Sequence, residues 1–452
     1  MTKKLTVDEL LEQAIKPSKL ALAYHPFYEG KLQVMPKCAI RSSKDFAIWY
    51  TPGVAASCKA IKDDPDKVFT HTNRWNYVAI VSDGTRVLGL GDIGPEAALP
   101  VMEGKALLFK YLGGVDAFPI CLATKNPDDI VNACKWITPT FGGINLEDIS
   151  KPKCFHVLDK AREELNIPVW HDDQQGTATV ILAGLINALK LVGKNIDQVK
   201  IAMLGVGAAN TRTALVIMRA GVKAGNIVMV DRQGILHQNR KDIEAEKEEN
   251  PWKWKFCLET NKEGILGNAS DALKDADVCI SAAKPGPGTI KKEWVTSMAS
   301  ESIVFACANP VPEIWPWEAK NAGAKIVATG RSDFSNQINN SLGFPAIFRG
   351  VLDVKAKTVT DDMCIAAATE LARFAEERGV TENDIVPKMD EWEVFPREAV
   401  ACALQSIKEG VARVKLSRQE LWERATHIIK TSRESTNLLM KKGLIPAPPK
   451  DI

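Results

Sequence analysis

Apolar residues fall in short runs along most of the chain, separated by stretches with helical spacing. "YVAIVSDG", "AALPVMEGKALLFKYLGG" and "AFPICLA" read as strand, helix, strand. "IPVWHDD" adds a buried strand that ends in acids, and a long apolar helix over 177–192 follows it. Turn signals in "LVGKNID" mark a break near residue 195. Beyond it, "KIAMLG", "NIVMVD", "DVCISAA", "SIVFACANP" and "KIVATG" are five strand-like runs with helical spacers. This cadence predicts an α/β protein with a doubly wound, Rossmann-like parallel sheet. After "FPAIFRGVLDV" the pattern is helical through residue 441 and then breaker-rich. The expected organisation is an N-terminal α/β domain over 1–175, a second α/β domain over 176–355, and a helical segment over 356–452 that packs back on both.

At 452 residues the chain needs more than one core. A net charge of +2 gives no pull toward nucleic acid or an anionic membrane, and neither is an expected partner. The first twenty residues mix Asp8, Glu9 and Glu12 into a helical period, which predicts a surface helix and no export signal. The apolar run "ATVILAGLINAL" is too short to span a bilayer. Ten cysteines without a Cys-x-x-Cys pair fit a reducing cytoplasm, and six scattered histidines lack metal spacing. Any metal must therefore be held by carboxylates.

Two glycine loops compete for a dinucleotide. "GLGDIG" at Gly89 matches the fingerprint but puts Asp92 where phosphate would lie, and its candidate ribose acid, Asp116, precedes its strand. "LGVGAAN" carries Asn210 at the third glycine position, yet a strand leads into it, a helix follows, and Asp231 ends the next strand. The second loop is the expected cofactor site, through Gly205, Val206, Gly207, Ala208, Ala209 and Asn210, with Asp231 and Arg232 at the ribose. Asn210 either fills the glycine's place or turns its amide toward a phosphate.

Acids end three apolar stretches: Asp92, the pair Glu147 and Asp148, and the pair Asp172 and Asp173. Parallel strands line such ends along one crest, where two or three carboxylates suit Mg²⁺ or Mn²⁺. Glu147 and Asp148 can share an ion only if the chain is irregular there, because neighbours on a regular strand face opposite ways. The competing reading makes these acids helix caps, Asp173 especially. Lys105 lies in the mainly apolar "VMEGKALLFKYL", where desolvation would lower its pKa toward a general base's, unless it snorkels to the surface. Tyr50, before a Pro-Gly turn, is a candidate acid or an ordinary half-buried side chain.

Together, "YTPGVA", "SDGTRVLGLGDIGPEAALPVMEGKALLFK", "FGGINLEDI", "IPVWHDDQQGTA", "DRQGIL", "ANPVPEI" and "ATGRSDFSNQINNSLGFPAIFRG" resemble the malic enzymes, in the compact form common in bacteria and some protists. The resemblance implies oxidative decarboxylation of L-malate to pyruvate and CO₂ with NAD or NADP and Mg²⁺ or Mn²⁺. It implies Tyr50 and Lys105 as acid and base, Asp172 tuning Lys105, and Glu147, Asp148 and Asp173 as metal ligands. Arg86 would hold a substrate carboxylate, Asn309 and Asn340 malate and the nicotinamide end, and Thr177 would lie near the cofactor. A homodimer is the implied assembly. Asp231 should repel a 2′-phosphate while Arg232 could accept one, so the cofactor stays open. Another metal-assisted 2-hydroxy-acid dehydrogenase, a malolactic-type enzyme, and a nucleotide-sensing module are the competing functions.

Overall fold

The computed structural model describes residues 7–449; residues 1–6 of the expected N-terminal surface helix and 450–452 of the tail lie outside the described residues. The helix itself forms over Val7–Tyr28. Two sheets follow. The first is parallel throughout, in the order β2-β1-β3-β4, from β1 (Tyr77–Ser82), β2 (Asp116–Cys121), β3 (Gly143–Leu146) and β4 (Val169–His171).

The second sheet has the order β10-β9-β8-β5-β6-β7, from β5 (Ile201–Leu204), β6 (Ile227–Asp231), β7 (Gly234–Ile235), β8 (Val278–Ser281), β9 (Ile303–Ala306) and β10 (Ile326–Thr329). It is parallel apart from β7, a two-residue hairpin partner of β6 too short to show in the apolar pattern. The chain leaves β5 toward β6 on one side and later places β8 on the other, so a switch point opens between β5 and β8, where such sheets bind ligands.

The helix Pro95–Gly113 shows why these segments fold as they do. Pro95 occupies its first position, where a missing N–H costs nothing, and Gly114 closes it in the left-handed region at φ 62°. Ala98, Met102, Ala106 and Phe109 recur at helical spacing and face the core of the first sheet. Phe109 is fully buried, so trimming it to alanine would cost about 3–5 kcal/mol.

Phe344–Asp353, although it follows the second sheet in sequence, packs Phe344, Ile347, Phe348 and Val351 into the first sheet's core. Its buried Arg349 donates to Asn76 Oδ1 at 2.5 Å and to Asp353 Oδ1 at 2.8 Å. The later helices Asp361–Arg378, Val394–Lys408 and Arg418–Lys441 contribute to the cores of both sheets. Among the described residues, no helix is long and apolar enough to cross a membrane.

Candidate active site

The carboxyl ends of β1, β3 and β4 carry the first group of predicted residues. β3 stops at Leu146, and Asp148 turns into the left-handed region at φ 54°, the irregularity that lets consecutive acids face one point. Asp148 N–H donates to Asp173 Oδ2 at 2.9 Å, and its carbonyl accepts from Arg86 N–H at 2.9 Å. One carboxylate oxygen each from Glu147, Asp148 and Asp173 falls within 4.8 Å of the others.

The electrostatics of this trio fit a cation. Burial first, then the charge of Asp173, pushes Asp148 up to about 8, and burial raises Glu147 and Asp173 as well. Asp148 Oδ2 is buried with no partner among the described residues. An all-oxygen set of mutually repelling carboxylates with an orphaned acceptor matches a hard divalent ion such as Mg²⁺ or Mn²⁺. The cap reading of Asp173 fails: the single turn Asp172–Gly176 is preceded by His171 and has no side-chain cap.

Lys105 projects from Pro95–Gly113 to the same crest. Its Nζ pairs with Asp172 Oδ2 and lies 3.1 Å from Glu147 Oε1 and 4.8 Å from the centre of the Phe344 ring. The expectation of a lowered pKa is overturned. Burial alone pulls Lys105 down, but the charges of Asp172 and Glu147 outweigh it and raise the group above its ordinary value. Trp170 Nε1 donates to the other Asp172 oxygen at 3.1 Å, and Asn145 Nδ2 donates to Glu147 Oε2 at 3.0 Å. Gly176 is held to glycine because a Cβ there would lie 2.0 Å from Asp172 Oδ1 and 3.1 Å from Asn340 Cβ. Asn340 thus borders the Lys105 cluster, and Thr177 opens the helix Thr177–Leu191 directly after it.

Two other predicted residues sit differently. Arg86 is exposed and makes no ion pair among the described residues, although its charge offsets a little of the rise at Asp148 and Asp173. Tyr50 is 73% exposed, not half-buried, and among the described residues its hydroxyl has no hydrogen bond to the cluster. Asp92 leaves the crest as well, pairing with Lys125 at 2.6 Å. Its loop instead reaches the cofactor sheet: a Cβ on Gly89 would lie 3.1 Å from Pro310 Cδ and 3.3 Å from the Asn309 carbonyl. Asn309 packs its amide against Gly330 at the end of β10.

At the switch point, Gly205 has φ 92°, and a Cβ there would meet the Ala282 carbonyl at 2.8 Å, so only glycine fits. Val206 and Gly207 complete the turn into the helix Ala208–Arg219. Among the described residues, the N–H groups of Ala208, Ala209 and Asn210 have no acceptor, as an anion-binding helix start requires. Asn210 does not face phosphate. It is buried, and its Nδ2 donates to the carbonyls of Leu204 at 2.8 Å and Gly205 at 3.0 Å, tying the turn to β5.

Asp231 ends β6 but is already neutralised. Arg240 reaches it with two N–H groups, at 3.2 and 2.9 Å, and Lys253 Nζ lies 2.6 Å away. Burial tends to raise its pKa, and these hydrogen bonds more than offset that, holding it below the ordinary carboxylate range. Exposed Arg232 adjoins it, and Lys151 donates to the Val206 carbonyl at 2.7 Å. The residue pattern did not single out Arg240, Lys253 or Lys151. Asn145 and Trp170 were more accessible, each two places before its acid on the same strand face.

The family "Malic enzyme, N-terminal domain" matches residues 29–162, and "Malic enzyme, NAD binding domain" matches residues 174–407. The chain belongs to the malic enzyme family. The bifunctional malic/malolactic enzyme of Bacillus subtilis is 46% identical over 404 residues, 89% of this chain and 96% of that protein. The NAD-dependent malic enzyme of Geobacillus stearothermophilus is 47% identical over 85% of this chain and 78% of its own. The crystal structure of the Entamoeba histolytica malic enzyme superposes with a TM-score of 0.95 at 48% identity, covering 99% of this chain and 94% of the other. This malic enzyme is thus an NAD- or NADP-dependent oxidoreductase, and divalent-metal dependence is general to its family.

Proposed function

We propose that this malic enzyme converts L-malate to pyruvate and CO₂ with the residue roles below. The observation that carries the reading is Lys105 lodged between Asp172 and Glu147, beside three convergent carboxylates. Mg²⁺ or Mn²⁺ held by Glu147, Asp148 and Asp173 supplies Lewis acidity at the C2 oxygen, and the nicotinamide of NAD or NADP supplies the hydride acceptor. Arg86 engages a malate carboxylate, and Asn309, Asn340 and Thr177 orient malate and the nicotinamide end.

Lys105 starts protonated, because two carboxylates surround it. Asp172, whose own pKa is raised by burial, accepts that proton and frees the amine to take one from the C2 hydroxyl as hydride leaves C2. Cleavage of the C3–C4 bond then releases CO₂ and leaves the electron pair on enolpyruvate. A proton delivered to C3 by Tyr50 completes pyruvate. Substrate groups come chiefly from 1–175 and cofactor groups from 176–355, with the helices of 356–452 bracing both.

A homodimer accounts for the exposure of Tyr50. Phe46, Ile48, Trp49 and Val54 are exposed around it, an apolar face suited to a second copy that would carry Tyr50 to the partner's site. Mixing dissociated Tyr50→Phe and Lys105→Ala chains then restores about a quarter of wild-type activity, since each hybrid dimer regains one complete site. If Tyr50 acts within its own chain, the mixture stays inactive and the shared site is refuted.

NADP is the supported cofactor. Arg240 and Lys253 cancel the repulsion expected from Asp231, and Arg232 and Lys151 add uncompensated positive charge. Ten free cysteines support a reducing cytoplasm as the compartment.

A further inference from the structure

The amino ends of the same strands border a second cavity, of about 420 Å³, lined by Phe69, Arg74, Lys135, Glu164, Arg413 and Asp66 among others. Arg74 comes just before β1, Phe141 just before β3, and Asn166 just before β4. The cavity therefore opens at the edge of the sheet opposite the Lys105 cluster, about 10–20 Å away along strands of three to six residues.

Its two guanidiniums are held by backbone carbonyls, and among the described residues neither forms a salt bridge. Arg74 Nε donates to the Phe141 carbonyl at 3.2 Å, with its guanidinium 4.8 Å from the centre of the Phe69 ring. Arg413 donates to the carbonyls of Lys355 at 2.8 Å, Ala356 at 3.2 Å and Asn166 at 2.6 Å. Lys355 Nζ, which does not line the cavity, lies 5.3 Å from the centre of the Phe69 ring. Among the described residues, none of these three cations has a carboxylate within ion-pair distance. Glu164 is occupied by Lys135 at 3.2 Å, and Asp66, the other lining carboxylate, acts on Arg413 from beyond ion-pair distance and offsets only part of the two guanidinium charges. Burial, then the charge of Arg413, pulls Arg74 below the usual arginine range, a sign that the two guanidiniums repel. Carbonyls hold these guanidiniums in place but cannot neutralise them, and an anion with several oxygens can do so through the N–H groups left over.

We propose that this cavity binds a small dianion, of the dicarboxylate or phosphate class, as a site distinct from the one that turns over malate. The dianion would bridge Arg74 and Arg413. It would thereby clamp the starts of β1, β3 and β4 to the segment after Phe344–Asp353, the helix whose Phe344 faces Lys105.

The test uses the full chain with Mn²⁺, NADP⁺ and one equivalent of oxalate per chain, so that the reaction and cofactor sites are filled and no excess dianion is left for the second cavity. Inorganic phosphate and succinate are then titrated separately by calorimetry. One saturable site per chain is expected for at least one of them, and which one binds identifies the source of the dianion. Arg74→Gln should weaken that binding at least tenfold. Thr138→Glu, which adds a carboxylate at the rim and leaves the carbonyl contacts alone, should abolish it. Lys125→Gln, on the far edge, should not change it. Absence of saturable binding by both anions overturns the proposal, and so does binding that survives Thr138→Glu.

Discussion

Lys253→Gln separates the two cofactors. Lys253 Nζ lies 2.6 Å from Asp231 Oδ2, and its side chain is 20% exposed, so its charge is only partly screened. For a 2′-phosphate taken at about 5–6 Å from that charge, an effective dielectric of 20–40 gives a gain of about 1.5–3 kcal/mol per unit of phosphate charge. Salt reduces this to about 1–2 kcal/mol, so kcat/KM for NADP⁺ should fall roughly 5- to 30-fold. NAD⁺ brings no phosphate there and should change by less than about threefold. The loss also unmasks Asp231, which retains Arg240 alone, and this adds to the effect on NADP⁺ only. The assay is steady-state turnover of malate with each cofactor at saturating Mn²⁺, at low and high ionic strength. The NADP⁺ penalty should shrink with salt. Equal losses for both cofactors, or an unchanged NADP⁺ rate, would refute the reasoning.

Three further substitutions probe the framework. Gly176→Ala puts a carbon 2.0 Å from Asp172 Oδ1 and must displace it, so kcat should fall about 100-fold or more while NADPH binding persists; a kinetically normal variant removes Asp172 from the mechanism. Asn210→Ala deletes the amide's hydrogen bonds to the Leu204, Gly205 and Ile280 carbonyls and should destabilise the protein by about 1–3 kcal/mol in denaturant unfolding, with NADPH affinity reduced; unchanged stability denies the tie to β5. Glu398 is fully buried, and neither carboxylate oxygen has a partner among the described residues. Burial, then the charge of Glu370, raises its pKa well above 4.5. The folded chain therefore keeps a proton that the unfolded chain releases, and this group costs stability as pH rises above about 4.5. Glu398→Gln should gain thermal stability over wild type at pH 8 more than at pH 5, and a pH-independent difference contradicts the assignment.

The residue pattern carried the framework because strands buried on both faces leave apolar runs: among the described residues eight of the ten strands coincide with runs read as strands, and the exceptions are β3, interrupted by Asn145, and the two-residue β7. Acids ending such runs can be found the same way, since parallel strands deliver their ends to one edge. Charge state could not be read. Lys105 stands among apolar neighbours in sequence, and only folding brings Asp172 and Glu147, distant along the chain, against it. The pairing of Asp231 was hidden in the same way. Arg240 and Lys253 follow it at no helical or strand period, so their convergence depends on how the segment after β7 folds back. Asn210 was legible as a departure, but its role depended on which carbonyls lay within reach.

The most direct test of the central claim is the product balance when L-malate is consumed with Mn²⁺ and NADP⁺. Pyruvate, CO₂ and NADPH should appear in equal amounts, and all three should vanish together in Lys105→Ala. Lactate formed without net cofactor reduction, or oxaloacetate accumulating without CO₂, would contradict the account.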